Sequence, residues 1–177
     1  MCNNLEKLGF KKVSEDMIPK MNFNPFEKIG QKWFLVTAGN EDGWNTMTAS
    51  WGFAGVMWGK NTFTTVIRPQ RYTKEFIDKS EYFTISFFGE EYRNALKYCG
   101  SHSGRDSDKA EETGLVPVFF DGVTAFEQAE MIIVCKKEYV QPMTGECLLD
   151  KDDDKKWFAS KDYHVQYIGE IKEIYTR

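Results

Sequence analysis

Only two histidines, His102 and His164, occur in the chain of 177 residues. A histidine-rich metal site is therefore ruled out, and no Ser-His-Asp set can be assembled from spacing. The four cysteines, Cys2, Cys99, Cys135 and Cys147, are scattered and form no CxxC pair, which argues against a zinc site. Cys99 and Cys135 fall in elements expected to be buried and read as small hydrophobes in a reducing cytosol. No apolar run approaches the ~20 residues of a membrane span. Met1 to Lys12 has no continuous apolar stretch of the kind a secretory signal needs, so a cytoplasmic protein without membrane contact is expected. Positive charge is not in excess either: the net charge is −4, whereas a nucleic-acid binder usually carries a basic footprint. No nucleic-acid partner is expected, and any anion site must be a local basic cluster. A Rossmann GxGxxG and a P-loop are both absent.

Aromatic residues, by contrast, reach 15% of the chain and hydrophobic residues 41%. That is enough for one domain, which at this length buries roughly 70% of its unfolded surface, with rings left over for a ligand or a partner. Met1 to Lys20 is mixed and charged and reads as an extension, with Leu5, Leu8 and Val13 at weak helical spacing. The domain proper spans 21–177. Strands are expected over Trp33–Thr37, Asn45–Ser50, Thr62–Ile67, Tyr82–Phe88, Val116–Phe120, Glu130–Val140 and Tyr163–Tyr175. The first two are joined by the Asn40–Gly43 turn, whose Asp-Gly is a hairpin signal. Trp51 to Gly59, with three glycines, reads as a bend. Short helices are expected at Lys74–Lys79, capped by Thr73, at Tyr92–Tyr98, and at Asp108–Thr113, capped by Asp106 or Ser107 and closed by Gly114. Asp150 to Lys156 reads as a charged, solvated loop. There is no internal repeat. Strands joined by hairpins and short helices, without long crossovers, point to a mainly β fold, an antiparallel barrel with short α insertions.

Three segments carry candidate chemistry. Asn45-Thr46-Met47-Thr48-Ala49-Ser50-Trp51-Gly52 puts small polar side chains and a large ring at one strand edge. Arg68-Pro69-Gln70-Arg71-Tyr72-Thr73 brings two guanidiniums to a helix start, an arrangement suited to an anion. Ser103-Gly104-Arg105-Asp106-Ser107-Asp108-Lys109 adds a glycine turn with two more cations. Each has an ordinary alternative: Trp51 as buried surface, Thr73 as a helix cap, Arg68 and Arg71 as surface charges, Ser103 to Lys109 as a turn with a cap, and His102 as a solvated loop histidine.

The order N-x-M-T-A-S-W, then a strand, then R-P-x-R-x-T at a helix start, then S-G-R-D-x-D-K resembles the flavin reductase-like family, and within it the flavoredoxin branch of FMN-binding split-barrel proteins. The resemblance spans roughly Asn22 to Arg177. It implies an antiparallel split barrel, a homodimer, and FMN held near the subunit interface. By motif it places cofactor contacts on Asn45, Thr48, Ala49, Ser50, Trp51, Thr73 and Lys109. With the basic cluster, the candidate FMN site comprises these residues and Arg68, Arg71, Tyr72, Ser103 and Gly104. The phosphate is expected near Arg68, Arg71, Thr73 and Lys109. The family often presents a histidine near the flavin in its later half, and His164, close to the chain's end, is not assigned to it. Two activities fit these residues. One is an NAD(P)H-dependent flavin reductase, with NADH or NADPH delivering hydride to flavin N5. The other is a flavoredoxin-type carrier that relays electrons to a redox protein partner. A pyridoxamine-phosphate-oxidase-like barrel is a weaker third reading, and FAD remains open beside FMN. No catalytic side chain is required, because the cofactor carries the chemistry.

Overall fold

The computed structural model describes residues 4–177; Met1 to Asn3, the start of the expected extension and the place of Cys2, lie outside the described residues. The chain opens with helix α1 (Asn4–Lys7), strand β1 (Lys11–Lys12), a 3-10 segment (Glu15–Lys20) and a π-helical segment (Phe26–Lys32). Strands β2 (Phe34–Asn40), β3 (Gly43–Ala49), β4 (Gly52–Met57) and β5 (Lys60–Ile67) follow, then helix α2 (Thr73–Lys79), β6 (Tyr82–Phe87), α3 (Arg93–Ser101) and α4 (Lys109–Thr113). A hairpin of β7 (Pro117–Phe120) and β8 (Val123–Phe126) leads to β9 (Met131–Pro142), helix α5 (Lys151–Trp157) and β10 (Val165–Thr176).

The main sheet runs in the order β3-β2-β6-β9-β10-β5-β4, with β1 added beside β10. Its pairings are all antiparallel. β3 and β4 stand on opposite edges, yet only Ser50 and Trp51 separate Ala49 from Gly52. Three Cα steps of about 3.8 Å each span about 11 Å at most. The sheet must therefore curl until its two edges approach. They are joined by the chain and not by a hydrogen-bonded ladder, which makes the structure the split antiparallel barrel that the sequence leads one to expect.

Period-two alternation builds the interior. Phe34, Val36 and Ala38 of β2, Phe83, Ile85 and Phe87 of β6, and Met131, Ile133 and Cys135 of β9 point into one cluster, with Phe63, Ile67 and Tyr167 from β5 and β10. The alternate residues are covered as well. Leu35, Ile132 and Val134 form a second cluster with Leu96 and Cys99 of α3 and with Val118, Phe120 and Phe126 of the hairpin. Leu5 and Phe10, from the stretch read as an extension, are 0% and 2% exposed and pack into this second cluster. Burial on both faces explains why several strands read as near-continuous apolar runs.

Local departures from the sequence reading have physical causes. Trp51 to Gly59 is not a bend throughout: Gly52–Met57 forms β4, paired with β5 from Gly52↔Thr65 to Met57↔Lys60. The ladder satisfies a backbone whose glycines alone would favour a turn. Val123–Phe126 is a strand that no alternation announces, since all four residues are buried. Asp150 to Lys156 is not a loop. Asp150 caps α5 by accepting from the Asp152 N–H at 2.9 Å, and Asp152 to Asp154 in the first turn with Lys155 and Lys156 in the last complement the helix dipole. Asp108, not Asp106 or Ser107, caps α4, accepting from Ala110 and Glu111. Gly114 ends α4 with φ 69°, as expected of a C′ glycine. Thr73 is no cap: Tyr72 holds the N-cap position without a side-chain bond.

Gly169 of β10 lies beside a register shift in the β9–β10 ladder. A methyl group there would stand 2.7 Å from Cys135 Cβ and 2.8 Å from the Phe83 ring. Gly169→Ala is therefore expected to destabilise the barrel by about 1–3 kcal/mol. Urea unfolding measures this directly, and an unchanged midpoint would show that the barrel wall at Gly169 is looser than described.

Candidate functional site

The curl that brings the sheet edges together also assembles a cavity of about 380 Å³. The end of β3 and the two-residue link supply Thr48, Ala49, Ser50 and Trp51; the loop after β5 supplies Arg68 and Arg71. Trp157 reaches in from the end of α5 and His164 from the entry to β10, with Met47 and Val66 as apolar floor. β3 is an edge strand, so one set of its backbone groups is not taken by the sheet; the Thr46 carbonyl of that set is engaged by Lys109, and the cavity borders the strand's later end, from Met47 to Ala49.

The side chains are held firmly. Thr48 Oγ1 donates to the Leu96 carbonyl of α3 at 2.5 Å. Arg68 Nη1 donates to Asp162 Oδ2 at 2.6 Å and Nη2 to the Trp157 carbonyl at 2.8 Å. Gln70 Nε2 reaches the same Asp162 oxygen at 2.7 Å. Arg71 Nη1 donates to the Gly100 carbonyl at 2.6 Å, near the C-terminal end of α3, where a cation is favoured. Burial, with Arg68 close by, pushes the Arg71 guanidinium below its ordinary pKa, and it has no ion-pair partner among the described residues. Trp51 stands edge-on to Trp157 with ring centroids 5.1 Å apart. His164, 8% exposed, lies between Trp51 at 5.1 Å and Phe158 at 5.5 Å. Burial first, and then Arg68, lower its pKa to about 4, so its ring is neutral at pH 7. Its Nδ1 is buried without a hydrogen-bond partner among the described residues, and such an atom calls for a ligand or a water.

The other sequence candidates lie around the first half of β3, at the start of α2 and in the loop that leads into α4. Asn45, Gly104 and Lys109 border a neighbouring cavity of about 450 Å³ with Trp44 and Arg105. Asn45 Nδ2 donates to Thr73 Oγ1 at 2.7 Å, which fixes the start of α2 against β3. A Cβ at Gly104 would sit 2.0 Å from Asn45 Oδ1, so the loop's approach to Asn45 needs a glycine. Lys109 is buried; its ammonium donates to the Thr46 and Cys99 carbonyls at 2.7 and 3.0 Å, and burial lowers its pKa to about 8. Its first role is thus to tie α4 to β3 and α3. Tyr72 packs on Phe76 and under the Arg105 guanidinium, 4.5 Å from its ring, and faces a different cavity. The Ser103 hydroxyl accepts from the Arg105 N–H at 3.2 Å. Sequence reasoning did not find Trp157 or Asp162 and left His164 unassigned. Only His164 carried a signal, as a late histidine close in sequence to Asp162. His102 is exposed and stacks on Tyr98. Among the described residues no cluster of three or more His, Cys, Asp or Glu could hold a metal ion, and no helix is long and apolar enough to cross a membrane.

A curled antiparallel sheet with its cavity at the meeting edges defines the class, a split-barrel domain. Residues 26–177 match the flavin reductase like domain family, and the chain belongs to that family. No curated protein matches its sequence. Among solved structures, it is similar to an FMN-binding domain of a flavin reductases-like enzyme from Shewanella baltica, with 18% identity, a TM-score of 0.67, and 99% of this chain and 78% of that one covered. It is also similar to flavoredoxin from Desulfovibrio vulgaris, with 24% identity, a TM-score of 0.63, and coverage of 82% and 69%. An NADH:FAD oxidoreductase from Streptomyces globisporus shares 14% identity, with a TM-score of 0.62 and coverage of 82% and 75%. At these identities the likeness is one of fold.

His164 makes the site pH-sensitive. The unfolded chain takes up its proton near pH 6.5 and the folded chain only near pH 4. Between those values the unfolded state binds more protons, so stability falls as the pH drops through that window. His164→Asn is expected to flatten this part of the pH profile of the urea midpoint. A slope unchanged by the substitution would mean that His164 is not held neutral.

Proposed function

We propose that this chain binds FMN in the cavity between β3 and His164 and acts as an NAD(P)H-dependent flavin reductase. The observation that carries the reading is the convergence, in one cavity, of a free strand edge, two arginines, and a neutral buried histidine beside a tryptophan face. The residues present fit such a group. A cavity of about 380 Å³ is within the range that holds a small cofactor. Arg71, with no carboxylate partner, and Arg68 beside it provide for a phosphate. Trp51 and the apolar floor of Met47 and Val66 suit a flat ring, and His164 Nδ1 has a hydrogen bond still to make. FMN, once bound, supplies the redox chemistry by taking a hydride from NADH or NADPH. The outward backbone N–H groups of Thr48 and Ser50, alternate residues at the free edge, would hold negative charge on the ring, as fixed dipoles do best in a water-poor site. Lys109, Asn45 and Thr73 would act behind them by fixing β3, α2 and α3 in place.

One observation favours the carrier reading. Trp157 stands at the cavity with its ring 5.1 Å from that of Trp51, which narrows the space for a second nucleotide and suits a protein that passes only electrons to a redox partner. The two buried free thiols, Cys99 and Cys135, suit a reducing cytoplasm. A homodimer belongs to the same proposal. β4 is an edge strand whose Phe53 and Val56 are 48% and 73% exposed, followed by Trp58 at 58%. An apolar edge of this kind is covered in stable proteins, and a second copy would cover it through a two-fold contact.

Flavin fluorescence titration is expected to show FMN binding, with Arg71→Ala weakening FMN about tenfold or more and riboflavin far less. Equal losses would remove Arg71 from the phosphate. Anaerobic stopped-flow mixing of the FMN-loaded protein is expected to bleach the flavin band with NADH or NADPH. Bleaching by dithionite alone would assign the carrier role. Light scattering is expected to give twice the chain mass of 20.6 kDa, and Val56→Glu to shift it toward the monomer; a monomeric parent protein would contradict the dimer.

A further inference from the structure

The two arginines of the cavity are unequally available. Arg71 meets only a backbone carbonyl, whereas both terminal nitrogens of Arg68 are engaged by one segment of the chain, which runs from the end of α5 to β10. Asp162 supplies a full negative charge to Arg68, where a ligand phosphate would otherwise place its own. We propose that Asp162 is a built-in competitor for Arg68 and thereby a specificity-determining residue of the cavity. Asp162 offsets the Arg68 charge that an anionic ligand group would otherwise meet in full, and release of Asp162 returns that charge to the ligand while weakening the hold of Arg68 on the Trp157 carbonyl. The inference rests on the flavin-binding reading and deepens it: it sets how strongly the site distinguishes a phosphorylated ligand from the same ligand without its phosphate.

Three observations support an exchangeable contact over a structural ion pair. First, the contact is lopsided. Asp162 Oδ2 accepts from both Arg68 and Gln70, while Oδ1 is buried with no partner among the described residues. A well-made arginine–carboxylate pair uses both oxygens, and a buried unpaired acceptor is a standing penalty that release to water removes. Second, the segment is thinly anchored. Phe158 is its one buried residue between Met143 and Tyr163, and Leu149 is 92% exposed; few buried apolar contacts place a segment at the low-stability end of a fold. Lys161, immediately before Asp162, has φ 55°, a left-handed backbone that a non-glycine residue adopts at a cost. Third, the contact and the gate are one unit. Arg68 holds the Trp157 carbonyl at 2.8 Å as well as Asp162, so loosening Asp162 loosens the residue whose ring stands against Trp51.

The test uses the full chain and Asp162→Asn, which keeps the size of the side chain and removes its charge. Dissociation constants for FMN and for riboflavin are measured by flavin fluorescence quenching. The ratio of the riboflavin to the FMN constant is expected to rise about tenfold in Asp162→Asn, and hydrogen exchange of residues 143–164 is expected to quicken. FMN binding with an unchanged ratio overturns the proposal. If neither protein binds either flavin, the flavin reading has failed, and inorganic phosphate decides the competitor role by itself. A larger rise in melting temperature with phosphate in Asp162→Asn than in the parent chain supports it; an equal rise overturns it.

Discussion

Everything at the site follows from a two-residue link. β3 and β4 occupy opposite edges of a broad antiparallel sheet, and Ser50 with Trp51 is all the chain that lies between them. So short a link leaves the sheet no choice but to curl. The place where the edges meet is then fixed, and with it the neighbours of Trp51: the loop after β5, which carries Arg68 and Arg71, and the entry to β10, which carries His164. The paired length of β9 and β10, from Val165↔Pro142 to Thr176↔Met131, stiffens the wall opposite. A ligand site at the seam of a barrel thus needs no dedicated insertion, since closure itself creates the concavity, the free strand edge and the convergence of loops.

Electrostatics then divides the labour among the cations. Lys109 and Arg71 meet backbone carbonyls at the end of α3, so they complete a helix terminus while remaining charged or nearly so. Lys109 is the more deeply buried and is drawn down to a pKa of about 8. Arg68 is neutralised by Asp162. Around them, burial keeps His164 uncharged and raises the Cys99 thiol to about 11, which leaves no reactive thiolate beside the cavity. The site is therefore one of fixed positive charge and neutral hydrogen-bonding groups. That suits a cofactor which brings its own reactivity and asks the protein for orientation.

Much of the fold was legible because its signals are local. The Asp-Gly turn at Asp42–Gly43, the aromatic and β-branched runs of β2, β5 and β6, and the Gly114 stop of α4 each follow from a residue and its immediate neighbours. β4 and β8 were not legible: β4 is rich in glycine and β8 is buried throughout, so neither shows the alternation that marks a half-buried strand. The candidate site divides in the same way. Thr48 to Trp51, Arg68 and Arg71 stand in contiguous motifs, and the structure brings them to one cavity. Trp157, Asp162 and His164 come from far along the chain and reach the cavity only through closure and through α5, a helix whose acid-rich sequence resembles a solvated loop until Asp150 is seen to cap it. Thr73 shows the converse error. Its position suggested a cap, but a buried amide, Asn45, found its hydroxyl first.

The central claim is that the seam of the barrel is the flavin site. A crystal structure of the chain grown with FMN tests it most directly. The account requires the flavin ring against Trp51 and the free edge of Thr48 to Ser50, within hydrogen-bond reach of His164, with its phosphate at Arg71. Flavin density elsewhere on the barrel, or a seam cavity empty of flavin at saturating FMN, would contradict it.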